Sequence, residues 1–173
     1  MTINHFFLAI AGGLLMIFFF FKPMEIKQNK HGDIPLFEIE NFLLHELRPE
    51  GLVTLMKGEE GVKFATRYEV KKIDYTDNEK KIKANMQANF GVYQNEIVTL
   101  TGDILYTRED GFRFETQSAS YNRKNSLAQT NDPYVAYMGA NRVKGEGLTY
   151  NNLKQKAFSK KVDAVYYVQE SKQ

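Results

Sequence analysis

The chain contains no cysteine at any of its 173 positions. That single absence excludes disulfide staples, thiolate zinc sites, iron–sulfur ligation and cysteine nucleophiles. Histidine is scarce as well: His5, His31 and His45 share no ligand spacing. A metal site needs three or four convergent ligands, so no metal is expected. Neither charge is in marked excess, since 23 basic residues stand against 21 acidic ones for a net charge of +2. A dedicated nucleic-acid binder, which needs a strongly basic face to neutralise phosphates, is excluded on that ground. The nucleophile elbow Gly-x-Ser-x-Gly and the phosphate-binding loop are both missing. Gly145-Glu146-Gly147 opens a dinucleotide fingerprint, but Tyr150 stands where the third glycine belongs and no helical pattern follows. Glu59-Glu60 and Glu109-Asp110 fall in turn-like segments, where solvated charge is the default. No enzyme and no cofactor are expected.

The charges that are present are unevenly placed. Residues 1–21 contain no Lys, Arg, Asp or Glu, and Phe6 to Phe21 is a run of sixteen apolar or small residues. A hydrocarbon core is spanned by roughly 20 helical residues, so residues 1–22 read as a transmembrane anchor and 23–33 as a linker. A cleaved signal peptide is the competing reading. Against it, the start MTINH has no Lys or Arg, and the run ends in Phe18 to Phe21, Lys22 and Pro23 rather than in small residues. Lys22, Lys27 and Lys30 follow the span, and by the positive-inside bias alone they would hold the body in the cytoplasm. A short leading tail can also stay inside, so the flanking charge leaves orientation open.

Beyond the linker, residues 34–173 are expected to form one domain, all β, because the apolar period changes from helical to two. Val62, Phe64, Thr66, Tyr68 and Val70 alternate with Lys63, Ala65, Arg67 and Glu69. Ile82, Ala84, Met86, Ala88, Phe90 and Val92 alternate with Lys83, Asn85, Gln87 and Asn89. Further alternation marks Val98 to Tyr106, Phe112-Phe114, Tyr134 to Met138 and Val162 to Val168, with polar turn residues between. No stretch after Lys22 makes an amphipathic helix of ten or more residues. A weak repeat reinforces this: Ser118 to Asn122 overlays Gly147 to Asn151, with Ala128 over Ala157 and Thr130 over Ser159. Repeated hairpins of this kind stack into an elongated sandwich whose terminal strands remain open edges.

The shared apolar parity selects Phe64, Tyr68, Met86, Phe90, Leu100, Phe112, Phe114 and Met138 as candidates to line a groove. Aromatic and methionine side chains pack equally well against one another or against acyl chains. A sandwich that opens along one side would present them as a lipid-binding trough beside the membrane. The alternative is a membrane-anchored scaffold or assembly protein with a closed core and no lipid ligand. The last alternating stretch, Val162, Ala164, Tyr166 and Val168, is expected to be an unpaired edge that docks a partner strand.

The residues also resemble a known family. Tyr134 to Gly139, then Gly145-Glu146-Gly147-Leu148-Thr149-Tyr150, then Val165 to Val168 look like the end of LptC proteins. Thr99 to Ile104 is similar to the leucine-any-glycine strand that precedes it. The resemblance implies an open, elongated β-jellyroll on one N-terminal transmembrane helix, a single-pass inner-membrane protein with its C-terminal domain in the periplasm. The partners it implies are lipopolysaccharide or lipooligosaccharide, an ABC transporter built from LptB, LptF and LptG, and a soluble LptA-like jellyroll. Gly102, Gly139 and Gly147 would be structural glycines that permit bends or close backbone approach.

Overall fold

The computed structural model describes residues 34–49, 51–79 and 82–168. The expected anchor, linker and polar C-terminal tail lie outside the described residues. Among the described residues no helix is long and apolar enough to cross a membrane.

Among the described residues the body is all β, with nine strands in chain order: β1 (Phe37–Arg48), β2 (Gly51–Lys63), β3 (Tyr68–Asp77), β4 (Ala84–Gln94), β5 (Ile97–Arg108), β6 (Phe112–Asn122), β7 (Leu127–Met138), β8 (Asn141–Asn151) and β9 (Lys156–Val165). They form one antiparallel meander sheet in which each strand pairs with its neighbours in sequence. Short polar turns make this possible. Asn95 and Glu96 both take positive φ, the two-residue turn whose twist matches a tight hairpin. In the repeat noted above, Asn122 Oδ1 accepts the Lys124 and Asn125 amides, and Asn151 Oδ1 accepts the Lys154 amide. The repeat is therefore the same turn used twice: Tyr121 pairs with Ala128, and Tyr150 with Ala157.

Two sequence expectations need correction. Val62 to Val70 is not one strand: β2 ends at Lys63, a turn spans 64–67, and Lys63 pairs back onto Tyr68. Phe64 lies in that turn, its amide donating to Arg67 O at 2.8 Å and its ring 3.9 Å from the Arg67 guanidinium carbon. Alternation survives a tight hairpin, so period two alone misses it. The last strand, in turn, stops at Val165, so Tyr166 to Val168 lie beyond it.

A seam crosses the sheet halfway along the strands. The pairings from β4–β5 through β8–β9 each carry a register shift there. Asn41, Lys72, Gly102, Asp103, Gly147 and Lys161 take positive φ inside strands along the same line. Such residues break the up-down alternation: on β3, β4, β6 and β8 the inner face changes parity across the seam, whereas on β5 and β7, where Val98 and Tyr106 and then Ala128 and Ala136 face inward, it stays even-numbered. On β4, Met86 and Ala88 face the interior before the seam, and Gly91 and Tyr93 do so after it. A Cβ on Gly91 would run into Ile73 Cδ1 and lie 3.0 Å from Leu100 Cδ2, which shows where that position points.

The sheet is rolled about this seam. In a flat sheet Tyr106 and Tyr150 would be roughly 30 Å apart, at about 3.3 Å per residue and about 4.8 Å per strand. Tyr150 instead acts electrostatically on both Tyr106 and Arg108. The interior is thin: Ile73, Ala88, Leu100 and Ile104 form the buried cluster, with Val70, Tyr75, Met86, Val98 and Ala119 packed half-buried against it. The only buried polar side chains described, Thr116 and Thr130, bond each other through their hydroxyls at 3.2 Å. On the outer side of the seam, Lys72 donates to Asn89 at 2.8 Å, Asn89 to Asp103 at 2.9 Å and Gln117 to Asp103 at 3.1 Å.

Candidate functional site

Cross-strand pairing lines up two apolar ladders, one on each half of the rolled sheet. The first runs Leu44, Met56, Tyr75, Met86, Tyr106, Phe114, Ala136, Val143 and Ala164, each residue directly opposite the next. The second runs Tyr68, Tyr93, Val98, Tyr121, Ala128, Tyr150 and Ala157. No charged side chain enters the first ladder from one edge strand to the other. Opposed side chains in such rows stand about 5 Å apart and touch. Tyr106 packs edge-on against Phe112 at 6.2 Å, Phe114 stacks on Tyr134 at 5.4 Å, and Tyr68 lies tilted against Tyr93 at 6.2 Å.

The ladders are covered without being closed. Met56, Tyr75, Met86, Tyr106, Phe114, Ala136 and Val143 are all half-buried, and Leu44 at the edge is 60 % exposed. No described side chain is completely buried. Burial pushes the phenols of Tyr75 and Tyr106 above the ordinary tyrosine value, so both stay neutral across the physiological range. From the second half, Arg123 slightly lowers the Tyr75 phenol and Tyr150 slightly raises that of Tyr106, so the two halves approach each other across the roll. The result is a continuous, neutral, apolar lining accessible from outside, suited to hydrocarbon and poorly suited to acid–base chemistry.

The residues singled out from sequence distribute unevenly over this lining. Met86 and Phe114 stand in the first ladder, and Tyr68 begins the second. Leu100 belongs to the buried cluster. Phe112 and Met138 pair with each other one step outside the first ladder, with Met138 42 % exposed. Phe90 sits past the seam and shares its row with Lys71, itself ion-paired to Glu60, and with Thr101. Gly102 and Gly147 have φ of 80° and 65° within the seam, and Gly139 has φ of 59° in the β7–β8 turn. Val162 and Ala164 lie on β9, which pairs only with β8 and is an edge of the sheet. Tyr166 and Val168 follow it and are 75 % and 78 % exposed. Leu44, Met56, Tyr75, Tyr93 and Tyr150 were not singled out as groove-lining from sequence. Tyr75 and Tyr150 did carry a signal, each closing a strand before a polar turn.

A scan against family models matches residues 7–167 to the lipopolysaccharide-assembly, LptC-related family. The chain belongs to the LptC family. A search of curated proteins finds no match. Membership ties the chain to lipopolysaccharide transport, and the LptC family is a family of transport components. An apolar lining without a reactive group suits that role.

Proposed function

We propose that this LptC protein is held in the inner membrane by its N-terminal apolar run, with its β body in the periplasm. There it accepts lipopolysaccharide or lipooligosaccharide from an LptB/LptF/LptG-type ABC transporter and passes the acyl chains to a soluble LptA-like jellyroll. The chain supplies a surface along which acyl chains slide, and hydrolysis of ATP takes place on the transporter. One observation carries this reading: the first apolar ladder runs from one edge strand to the other and stays half-buried from Met56 to Val143, with the second ladder facing it from β3 to β9. A lining that spans all nine strands offers hydrocarbon a path with no polar barrier. Each buried methylene contributes about 0.8 kcal/mol, so a chain lying along such a row is held firmly yet moves in small steps. The closed-core scaffold reading would require a dry interior, and the lack of any completely buried side chain weighs against it.

The test is site-specific photo-crosslinking in cells. A probe at Met56, Met86, Tyr106 or Phe114 is expected to capture lipopolysaccharide, and one at Gln87 or Leu105, on the opposite parity of the same strands, is not. Equal capture from both sets would reject the groove. The membrane half of the proposal is tested by intact mass of the extracted protein and by protease access in spheroplasts.

A further inference from the structure

The two rims of the roll differ in charge. At the rim formed by the β1–β2, β3–β4, β5–β6 and β7–β8 turns, Arg48 bonds Glu46 and Glu79 and Arg108 bonds Asp110, while Lys83 and Arg142, which form no ion pair among the described residues, share the rim with the further carboxylates Asp77 and Glu109. At the opposite rim, formed by the β2–β3, β4–β5, β6–β7 and β8–β9 turns, Lys63, Arg123, Lys124, Lys154 and Lys156 are exposed. None of these five forms an ion pair among the described residues. The carboxylates nearby are already engaged, Glu69 with Arg67 and Glu96 with the Tyr93 hydroxyl. Unmatched like charges repel one another, and no carboxylate within the described fold offsets these five.

Two of these cations are held over the end of the second ladder. Lys63 Nζ lies 5.4 Å from the Tyr68 ring centre and the Arg123 guanidinium carbon 5.9 Å from that of Tyr93. These two tyrosines are paired and 6.2 Å apart. Lys63 is itself the cross-strand partner of Tyr68, so a cation stands in line with the apolar row where that row meets solvent. An amphiphile whose chains lie along the ladders would bring its polar group to a rim, and among the described residues it is this rim whose cations outnumber its carboxylates.

We propose that the Lys63–Arg123 rim binds the phosphate of the glycolipid headgroup, and so sets which end of the cargo faces which side of the groove. Guanidinium and ammonium groups held on aromatic rings are suited to phosphate, the first as a planar fork and the second as a point charge. The inference rests on the proposed groove for acyl chains and adds the recognition of the anionic group.

The experiment uses the full chain in nanodiscs of neutral phosphatidylcholine, titrated with phosphorylated lipid A and with enzymatically dephosphorylated lipid A of the same acylation. The phosphorylated form is expected to bind about fivefold tighter, the scale of one or two exposed charge pairs. Lys63→Gln with Arg123→Gln should erase that preference and leave binding of the dephosphorylated lipid unchanged. Arg123→Lys should restore part of it, and Arg48→Gln on the opposite rim should keep it whole. Inorganic phosphate at millimolar concentration should not compete. Equal affinity for the two lipids overturns the phosphate site while leaving the groove standing. Competition by inorganic phosphate without a lipid preference assigns the rim to free anion and overturns the headgroup role. Binding of neither lipid overturns both the site and the groove.

Discussion

Met86 on β4 stands directly opposite Tyr106 on β5, and Tyr106 in turn lies within electrostatic reach of Tyr150 from the far half of the roll. One residue is thus shared between a ladder within the sheet and the contact between its two halves. Local pairing builds the ladder, and the seam brings it against its counterpart. A groove made this way depends on the seam as much as on the apolar residues, and the seam is where the backbone is least ordinary.

Gly102 is the first position to test. Its φ is 80°, and a Cβ there would lie 2.7 Å from Asn89 Nδ2 and 2.9 Å from Asn89 Cβ. Gly102→Ala combines an unfavourable left-handed backbone with a clash against the neighbouring strand. The expected cost is about 1–3 kcal/mol, read as a lower urea midpoint with an unchanged slope. Wild-type stability in this variant would show that the seam tolerates an ordinary backbone there.

Asp103 beside it provides a pH test. The Gln117 and Asn89 amides that donate to its carboxylate, with help from Lys72, hold its pKa below the ordinary aspartate value. A depressed carboxyl contributes stability that is fully present above the unfolded value of about 3.9 and lost as pH falls through the lower folded value. Asp103→Asn keeps a residue that accepts positive φ while removing the charge. The variant is expected to be slightly less stable than wild type at neutral pH, with the gap closing below about pH 3.9. The effect is small because the group is exposed. Urea midpoints across pH would measure it, and a gap that persists in acid would assign the difference to packing.

A third test separates the two sides of the seam on a single strand. A photo-probe at Tyr93 is expected to capture lipid, and one at Phe90 is expected to capture little. Simple alternation from Met86 would place Phe90 on the apolar face and Tyr93 on the wet one. The register shift between Gln87 and Phe90 reverses that assignment. Stronger capture at Phe90 than at Tyr93 would mean that the seam does not switch faces.

The same reversal explains what the sequence could and could not reveal. Strand type was legible wherever alternation ran without a break, as at Met86 and Ala88 or from Phe112 to Phe114. Phe90 was misplaced because a bulge leaves no mark in composition: an extra residue among alternating ones looks like any other. Leu44 and Met56 were missed because β1 and β2 carry adjacent apolar residues, Leu43-Leu44 and Leu55-Met56, which match neither parity. There Gly58 and Gly61 supply space for the Phe42 ring instead of a side chain of their own. The family was readable from the glycine and tyrosine placements of the last third, where the chain repeats its own turn.

The last prediction concerns β9. It pairs only with β8, no strand follows it among the described residues, and Val162 is 53 % exposed. An edge of this kind offers backbone donors and acceptors to any strand of matching twist, and exposed apolar side chains beside it add contact area. Truncation from Val162 removes the last four residues of the ten-residue edge strand, and Val165→Pro removes one donor while leaving the rest of the chain in place. Each is expected to abolish capture of a soluble jellyroll partner in a pull-down while leaving transporter association intact. Thermal unfolding of both variants separates a lost docking site from a lost fold, and the proline variant answers the question if the truncated chain does not fold. Wild-type capture by a folded variant would move docking to β1. That strand is the opposite edge of the same sheet, where Phe37, Leu43, Leu44 and Leu47 are exposed.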